Sequence, residues 1–374
     1  MSEVKFKLAA GTNVGLLRQN NEDNFVVSPD LAAAQWLLPK DDEYVELGQY
    51  GALLVVADGM GGMNAGEVAS AIAVETVQQM FTPDNIAPVV DDSKAIQEFM
   101  EGVAKTADLN ILNRSREDSS TQGMGTTIVM AWILGQRAYI TWCGDSRCYV
   151  YNKKRGLRRL SKDHSFVQEL VDKGELAPEY TNDHPLSNVI TRCLGNEEKR
   201  AEPETRVYEL YSGDAIMLCS DGLCGLCRDD HIAEVMEEFK DNAQECRNEL
   251  ISAALSMGGH DNVTVALCTV LLDRTEDDAP SLEDDKEDEA FEETPEDSDS
   301  QAAGDAEATP ESGEQQEELA NTLRNTPPRK RHTLLWTFLI LLLLVAVACY
   351  FYWYYNQETV TPIIQDVMKK IHLK

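Results

Sequence analysis

Five short acidic turns, each set against an apolar run, constrain this chain more than any other feature: Asn21-Glu22-Asp23, Asp58-Gly59, Gly144-Asp145, Asp221-Gly222 and Asp261-Asn262. The runs Ala52 to Ala57, Ala138 to Cys143 and Ala215 to Cys219 read as buried strands, which puts the carboxylates at strand ends where they can converge. Converging carboxylates repel unless a cation holds them. Oxygen ligands with no obligatory histidine or cysteine suit hard divalent ions such as Mg²⁺ or Mn²⁺, and one shared aspartate can bridge two. Two such ions can clamp a phosphoryl group and its attacking water. Singly, each Asp-Gly is an ordinary turn; the set carries the reading.

With 374 residues the chain has material for one large or two ordinary domains. Its net charge of −32 is uneven: residues 273–322 carry −19, residues 323–374 carry +5, and the first 272 residues hold the remaining −18. A domain so acidic repels nucleic acid backbones, which excludes DNA and RNA as direct partners. Nine cysteines are scattered through apolar segments, as at Cys143, Cys148, Cys219 and Cys268. They read as small buried hydrophobes in a reducing compartment, not as a disulfide framework. Cys219, Cys224, Cys227 and His231 form a C-x4-C-x2-C-x3-H run with a likeness to zinc sites. The favoured reading instead ends a buried strand at Cys219 and places the others along a turn into a helix.

Met1 to Ala10 has mixed charges and no long apolar stretch, so nothing there reads as an export signal. Strands are expected near Lys5–Ala9, Leu53–Ala57, Thr126–Ile133, Ala138–Trp142, Arg206–Leu210, Ala215–Cys219 and Val263–Leu271. Helical spacing of apolar residues predicts helices over Ala65–Met80, Asp92–Asn113, His164–Lys173, Asp230–Glu238 and Ala243–Met257. This mixed order gives an α/β or α+β domain over residues 1–272. The short Leu134–Arg137 link predicts an antiparallel hairpin.

Residues 273–328 turn to Asp, Glu, Ser, Thr, Pro and Gln, which cannot bury enough apolar area to offset chain entropy, so an acidic disordered linker is expected there. Residues 329–355 combine a basic flank, Arg329-Lys330-Arg331, with an uncharged stretch from Thr333 to Tyr355 long enough to cross a bilayer as a helix. Trp336 at one end and Tyr350, Tyr352, Trp353, Tyr354 and Tyr355 at the other match interfacial aromatic belts. The expected location is therefore the cell membrane, crossed once through lipid contacts of residues 333–355, with the large domain facing the cytoplasm. A short tail, residues 356–374, follows.

In order, the blocks are Arg18-Gln19-Asn20-Asn21-Glu22-Asp23-Asn24-Phe25, Val55-Val56-Ala57-Asp58-Gly59-Met60-Gly61-Gly62, Gly123-Met124-Gly125-Thr126-Thr127, Cys143-Gly144-Asp145-Ser146-Arg147, Leu218-Cys219-Ser220-Asp221-Gly222-Leu223 and Gly259-His260-Asp261-Asn262-Val263-Thr264. This succession resembles the metal-dependent Ser/Thr protein phosphatases of type 2C over residues 5–272. The stretches Leu160 to Ser165 and His184 to Gly195 resemble the bacterial branch, with the family's flap, Phe166 to Asp183, between them. The resemblance implies a four-layer αββα sandwich, α+β in class, with two central antiparallel sheets and metals at one end. It implies hydrolysis of phosphoserine and phosphothreonine in proteins by a water held between two Mn²⁺ or Mg²⁺ ions, in opposition to a Ser/Thr kinase. Position by position, Asp58 would bridge the ions, Gly59 would offer its carbonyl, and Asp221 and Asp261 would complete the set. Glu22 and Asp23 would hold metal-bound waters, Asp145 would share a third, weaker ion with Asp221, and Arg18 would bind phosphate through its planar fork.

One position departs from the animal members: Met60 stands where they carry a histidine that protonates the leaving oxygen. His164, His184 and His260 are nearby by motif and read as structural, so none is assigned that role. Two other readings stand beside the enzyme. One is a non-catalytic, metal-binding phosphoprotein-docking module, against which the complete ligand set argues; the other is a membrane anchor for further proteins. Residues 28–50, a long connection, are expected to form an extra surface hairpin near the site.

Overall fold

The centre of the molecule follows from period-two alternation. The computed structural model describes residues 4–38, 42–61 and 65–272. The strands there are β1 (Lys5–Asn13), β2 (Asp23–Ser28), β3 (Val45–Glu46), β4 (Ala52–Met60), β5 (Gly125–Thr126), β6 (Ile128–Leu134), β7 (Arg137–Cys143), β8 (Arg147–Asn152), β9 (Gly156–Arg159), β10 (Glu204–Glu209), β11 (Ala215–Cys219) and β12 (Val263–Leu271). The helices are α1 (Gly66–Met80), α2 (Pro83–Ile86), α3 (Ser93–Glu117), α4 (Phe166–Asp172), α5 (Asp221–Cys224), α6 (Asp229–Phe239) and α7 (Ala243–Ser256). One sheet has the order β3-β1-β12-β11-β8-β9, the other β10-β7-β6-β4-β2 with β5 added beside β4. Every pairing is antiparallel, which decides for α+β.

Along β4, Leu53, Val55 and Ala57 face one apolar layer while Ala52, Leu54 and Val56 face another. The first layer lies between this sheet and α1 and α3, joined by Trp132, Phe81 and Met100. The second fills the space between the sheets, where Phe6, Leu8, Ile216 and Leu218 meet Val129 and Ile140. A third, with Met217, Val265 and Leu267 against Val235, Leu250 and Ala254, seats α6 and α7 on the first sheet. The result is the expected sandwich of helices, two sheets and helices. The hairpin is present as β6 and β7, with Leu134 opposite Arg137 and Gly135 at φ +57 in the two-residue loop. Asp92 caps α3 by accepting from the Lys94 and Ala95 N–H groups.

β2, β8 and β9 fall outside the expected strands: β2 begins inside an acidic turn, β9 ends on two arginines, and β8 carries the buried run Cys148 to Tyr151 between Arg147 and Asn152. The expected hairpin over residues 28–50 is not what forms. Leu31 is fully buried, Asp30 bridges to Gln35, and β3 pairs with Lys5 and Phe6 of β1. That pairing closes the sheet edge at the end of β1 away from Asn13, which is the end away from the acidic turns. The linker expected over 273–328, the transmembrane helix over 329–355 and the tail 356–374 lie outside the described residues. Among the described residues no helix is long and apolar enough to cross a membrane. The chain divides into two units, Met1–Glu292 and Glu293–Lys374, and all described residues fall in the first.

Trp132 is fully buried, donates Nε1–H to the Tyr50 carbonyl at 2.8 Å, and meets Phe81 edge-on at 5.1 Å between ring centroids. Trp132→Ala should cost about 3–5 kcal/mol, read as an earlier thermal unfolding transition by circular dichroism.

Candidate active site

The acidic turns gather because strand register places them together. Asp23 on β2 lies opposite Asp58 on β4. In the other sheet Cys219 pairs with both Arg147 and Val265, and Val263 with Asn13, so the turns carrying Asp145, Asp221 and Asp261 open at one end of that sheet. Asp221 directly follows β11 as the first residue of α5, and Asp261 lies just before β12.

Hydroxyls and amides from neighbouring strand ends hold these turns in place. The Asp58 backbone is fixed on both sides by the threonine pair: Thr126 Oγ1 donates to the Asp58 carbonyl at 2.8 Å and Asp58 N–H donates to Thr127 Oγ1 at 3.1 Å. Thr127 Oγ1 also hydrogen-bonds Ser146 Oγ at 2.8 Å, tying Asp58 to the Asp145 turn. Asp23 Oδ2 accepts from Ser220 at 2.7 Å and Thr264 at 2.6 Å. Asn262 accepts from Glu22 N–H at 2.7 Å and donates to the carbonyls of Val14 and Asn20, clamping the loop that carries Arg18. A Cβ on Gly59 would meet the carbonyls of Gly66 at 2.3 Å and Glu22 at 2.5 Å, so the start of α1 and the Glu22 turn demand glycine there.

The histidines are placed away from proton transfer. His164 Nδ1 accepts from Gly144 N–H at 3.1 Å, which puts its proton on Nε2, 3.2 Å from Glu204 Oε1. It stacks on Trp142 and so braces the Asp145 turn. His184 Nδ1 accepts from Leu186 N–H, and His184 and His260 are both exposed or nearly so. Cys219, Cys224 and Cys227 pack into the third apolar layer, and His231 lies beside Glu234.

Asp23 and Asp145 are buried, and Asp58 and Asp221 are partly covered with their carboxyls turned toward one another. Burial, then the charges of Asp23, Asp221 and Asp145, push Asp58 well above the usual carboxylate range. Burial and the charge of Asp221 raise Asp145, and burial and Asp261 raise Asp221. Burial carries Asp23 to about 7 against the bonds from Thr264 and Ser220. Glu22 is raised by burial and by Glu67 beside it. Arg18 Nη2 lies 2.6 Å from Asp261 Oδ2, an exposed pair at the mouth of the cluster. Two buried oxygens here, Asp145 Oδ1 and Glu67 Oε2, have no hydrogen-bond partner.

The protein phosphatase 2C profile matches residues 35–258. The chain belongs to the protein phosphatase 2C family of protein-serine/threonine phosphatases. It is 32% identical over 256 residues to the serine/threonine phosphatase stp of Listeria monocytogenes, covering 68% of this chain and 92% of that one. Its structure is similar to that of the S. agalactiae serine/threonine phosphatase, with a TM-score of 0.60 and 29% identity over 71% of this chain and 99% of the other. It is also similar to the catalytic domain of the phosphatase PstP solved in complex with two manganese ions, with a TM-score of 0.56 and 30% identity over 72% and 99% of the two chains.

The donor set of this phosphatase fits hard divalent ions. It is all oxygen, its carboxylates repel one another, and the unpartnered Asp145 Oδ1 needs a donor or a cation. Among the described residues no three carboxylate, histidine or cysteine side chains close on one point tightly enough to hold an ion by themselves. An ion of the Mg²⁺ type is commonly held by one or two carboxylates and completed by water. The positioning residues Thr126, Thr127, Ser220, Thr264 and Asn262 stand within or next to the six sequence blocks, but their types alone gave no role; strand register supplies it.

These raised values fix the sign of a pH effect in the 2C phosphatase. For each such aspartate the contribution to stability is fully present below its ordinary value of 3.8 and is lost as pH rises through the folded value, about 7 for Asp23. In chelator, the melting temperature should therefore fall as pH rises from about 4 to beyond 7, and saturating Mn²⁺ should flatten that fall. Differential scanning fluorimetry checks it; a flat profile in chelator contradicts it.

Proposed function

We propose that this phosphatase removes phosphate from phosphoserine and phosphothreonine in proteins, with Asp58, Gly59, Asp221 and Asp261 as the residues that would hold two Mn²⁺ or Mg²⁺ ions. The observation that carries the reading is the cluster of mutually repelling carboxylates at one end of the sandwich. Bound there, such ions lower the pKa of water and neutralise charge on the transferring phosphoryl group. Glu22 and Asp23, locked by Asn262 and by the Ser220 and Thr264 hydroxyls, orient water at the cluster. Asp145, with its unpartnered oxygen, would share a third ion with Asp221. Arg18, at the mouth and anchored on Asp261, offers a planar fork to the phosphate. Methionine at position 60 cannot donate a proton and His164 is engaged by Gly144 and Glu204, so the proton for the leaving oxygen would come from water at the cluster or from another group.

The uncharged stretch 333–355 would tether the enzyme to a membrane, and Arg329, Lys330 and Arg331 would keep the catalytic domain on the cytoplasmic side, facing proteins phosphorylated by a Ser/Thr kinase. Support for this comes from the sequence pattern alone.

Asp221→Asn in the full-length chain should lower turnover of a phosphothreonine peptide by at least about 100-fold while the unfolding transition stays cooperative. Turnover that survives this change, or saturating chelator, would contradict the metal-dependent reading. Deleting residues 329–374 should move the chain from the membrane pellet to the soluble fraction on ultracentrifugation of cell lysates; a full-length chain already in the soluble fraction would contradict the tether.

A further inference from the structure

Two adjoining cavities lie beside the acidic cluster, and only the smaller reaches it. The smaller, about 80 Å³, touches Asp145 and Asp221. The larger, about 440 Å³, opens between α4, the turn at Pro178–Tyr180 and the start of α6. They share the wall made by Arg147, Asp163, Ser165, Val167, Thr181 and Asn182, so the larger is a groove leading away from the cluster. The unpartnered Oδ1 of Asp145, a residue more than nine-tenths buried, marks the inner end. A volume of this size is that of a ligand site, not of a packing gap.

The charges lining the groove are unbalanced. Of its three arginines, Arg147 spends Nε and Nη2 on Asp163, at 3.0 and 2.7 Å, and Nη1 on the Tyr149 hydroxyl at 2.9 Å. Arg159 is held between the same Asp163, at 3.4 Å, and Gln168. Arg228, at the exposed rim, lies 3.8 Å from Asp183. Asp163 is thus consumed by two arginines. Asp229 accepts from the Tyr149 hydroxyl and lies 3.9 Å from Arg147 Nη1, which leaves two exposed acids, Glu179 and Asp230, that form no ion pair among the described residues. Val167, Val171 and Pro178 supply an apolar wall of the kind that the stem of a long basic side chain covers.

We infer that this groove receives the part of a substrate protein that flanks the phosphorylated residue, and that it selects for Lys or Arg there. The inference rests on the phosphatase reading and adds a specificity to it. A polypeptide with its phosphate at the cluster extends into the groove, and an acidic flank meets Glu179 and Asp230 as like charges. A basic flank meets them as partners. The attraction is between exposed groups, so it weakens as salt is raised.

The test compares phosphothreonine peptides that carry Arg, Gln or Glu in the positions flanking the phosphoresidue, on either side, with a simple aryl phosphate that has no flank. With the full-length chain at low salt, kcat/KM should be about 5-fold or more higher for Arg than for Glu peptides, with Gln between. The double variant Glu179→Lys/Asp230→Lys, both positions exposed and outside the acidic cluster, should reverse the order and leave aryl phosphate turnover unchanged. A wild type indifferent to flank charge or preferring Glu, or a double variant that keeps the wild-type preference, would overturn the inference. A wild type inert toward all the phosphothreonine peptides and the aryl phosphate alike would instead sink the phosphatase reading itself.

Discussion

Carboxylates crowded at the shared end of two antiparallel sheets are the constraint on which the rest of this structure turns. Taking one ionised carboxylate out of water costs several kcal/mol after relaxation, and placing others beside it adds repulsion. Left to themselves Asp58, Asp145 and Asp221 would part or take up protons, which is the direction in which burial and mutual charge push all three. The fold keeps them together because each sits on a strand end or an adjoining turn whose position is fixed by layers of apolar side chains, not by the carboxylates themselves.

What surrounds the acids answers to that repulsion. Short hydroxyl side chains satisfy the backbone and one oxygen of Asp23 without adding bulk, while Asn262 spends its whole amide on the loop that bears Arg18 and Glu22. Cationic side chains approach from the outside: Arg18 at the mouth against Asp261, Arg147 behind Asp145 and tied to Asp163. Two arginines do not balance the cluster, and an oxygen-rich, net negative pocket is the environment in which a divalent ion gains most. The same arrangement leaves Arg18 with one face toward solvent, where a phosphate would enter.

Much of this was legible in the residues. β11 and β12 run between the expected bounds because Ala215 to Cys219 and Val263 to Leu271 are apolar runs closed by polar turns. β2 and β9 were not legible, since one starts in an acidic turn and the other is a short, Arg-rich edge strand held only by pairing with β8, whereas Cys148 to Tyr151 of β8 is an apolar run that was passed over. The connection over residues 28–50 was misread for a related reason. Its buried apolar anchor, Leu31, and the edge pairing of Val45 with Phe6 depend on contacts distant in sequence. At the site, the acids announced themselves by recurring in turns. Their supports, Thr127 with Ser146 and Ser220 with Thr264, are ordinary small polar residues until register brings them within 2.8 to 3.0 Å of each other. Gly59 was named in the sequence only for its carbonyl, and the crowding that excludes a side chain there, from the backbone of Glu22 and Gly66, appears only in the fold.

The most direct test is crystallographic. Crystals grown with Mn²⁺ and measured at the manganese absorption edge should show two anomalous peaks at this end of the sandwich, with Asp58 in contact with both and with Asp221 and Asp261 at one of them. Absence of any peak in contact with Asp58, or peaks only at surface acids elsewhere, would contradict the account at its centre.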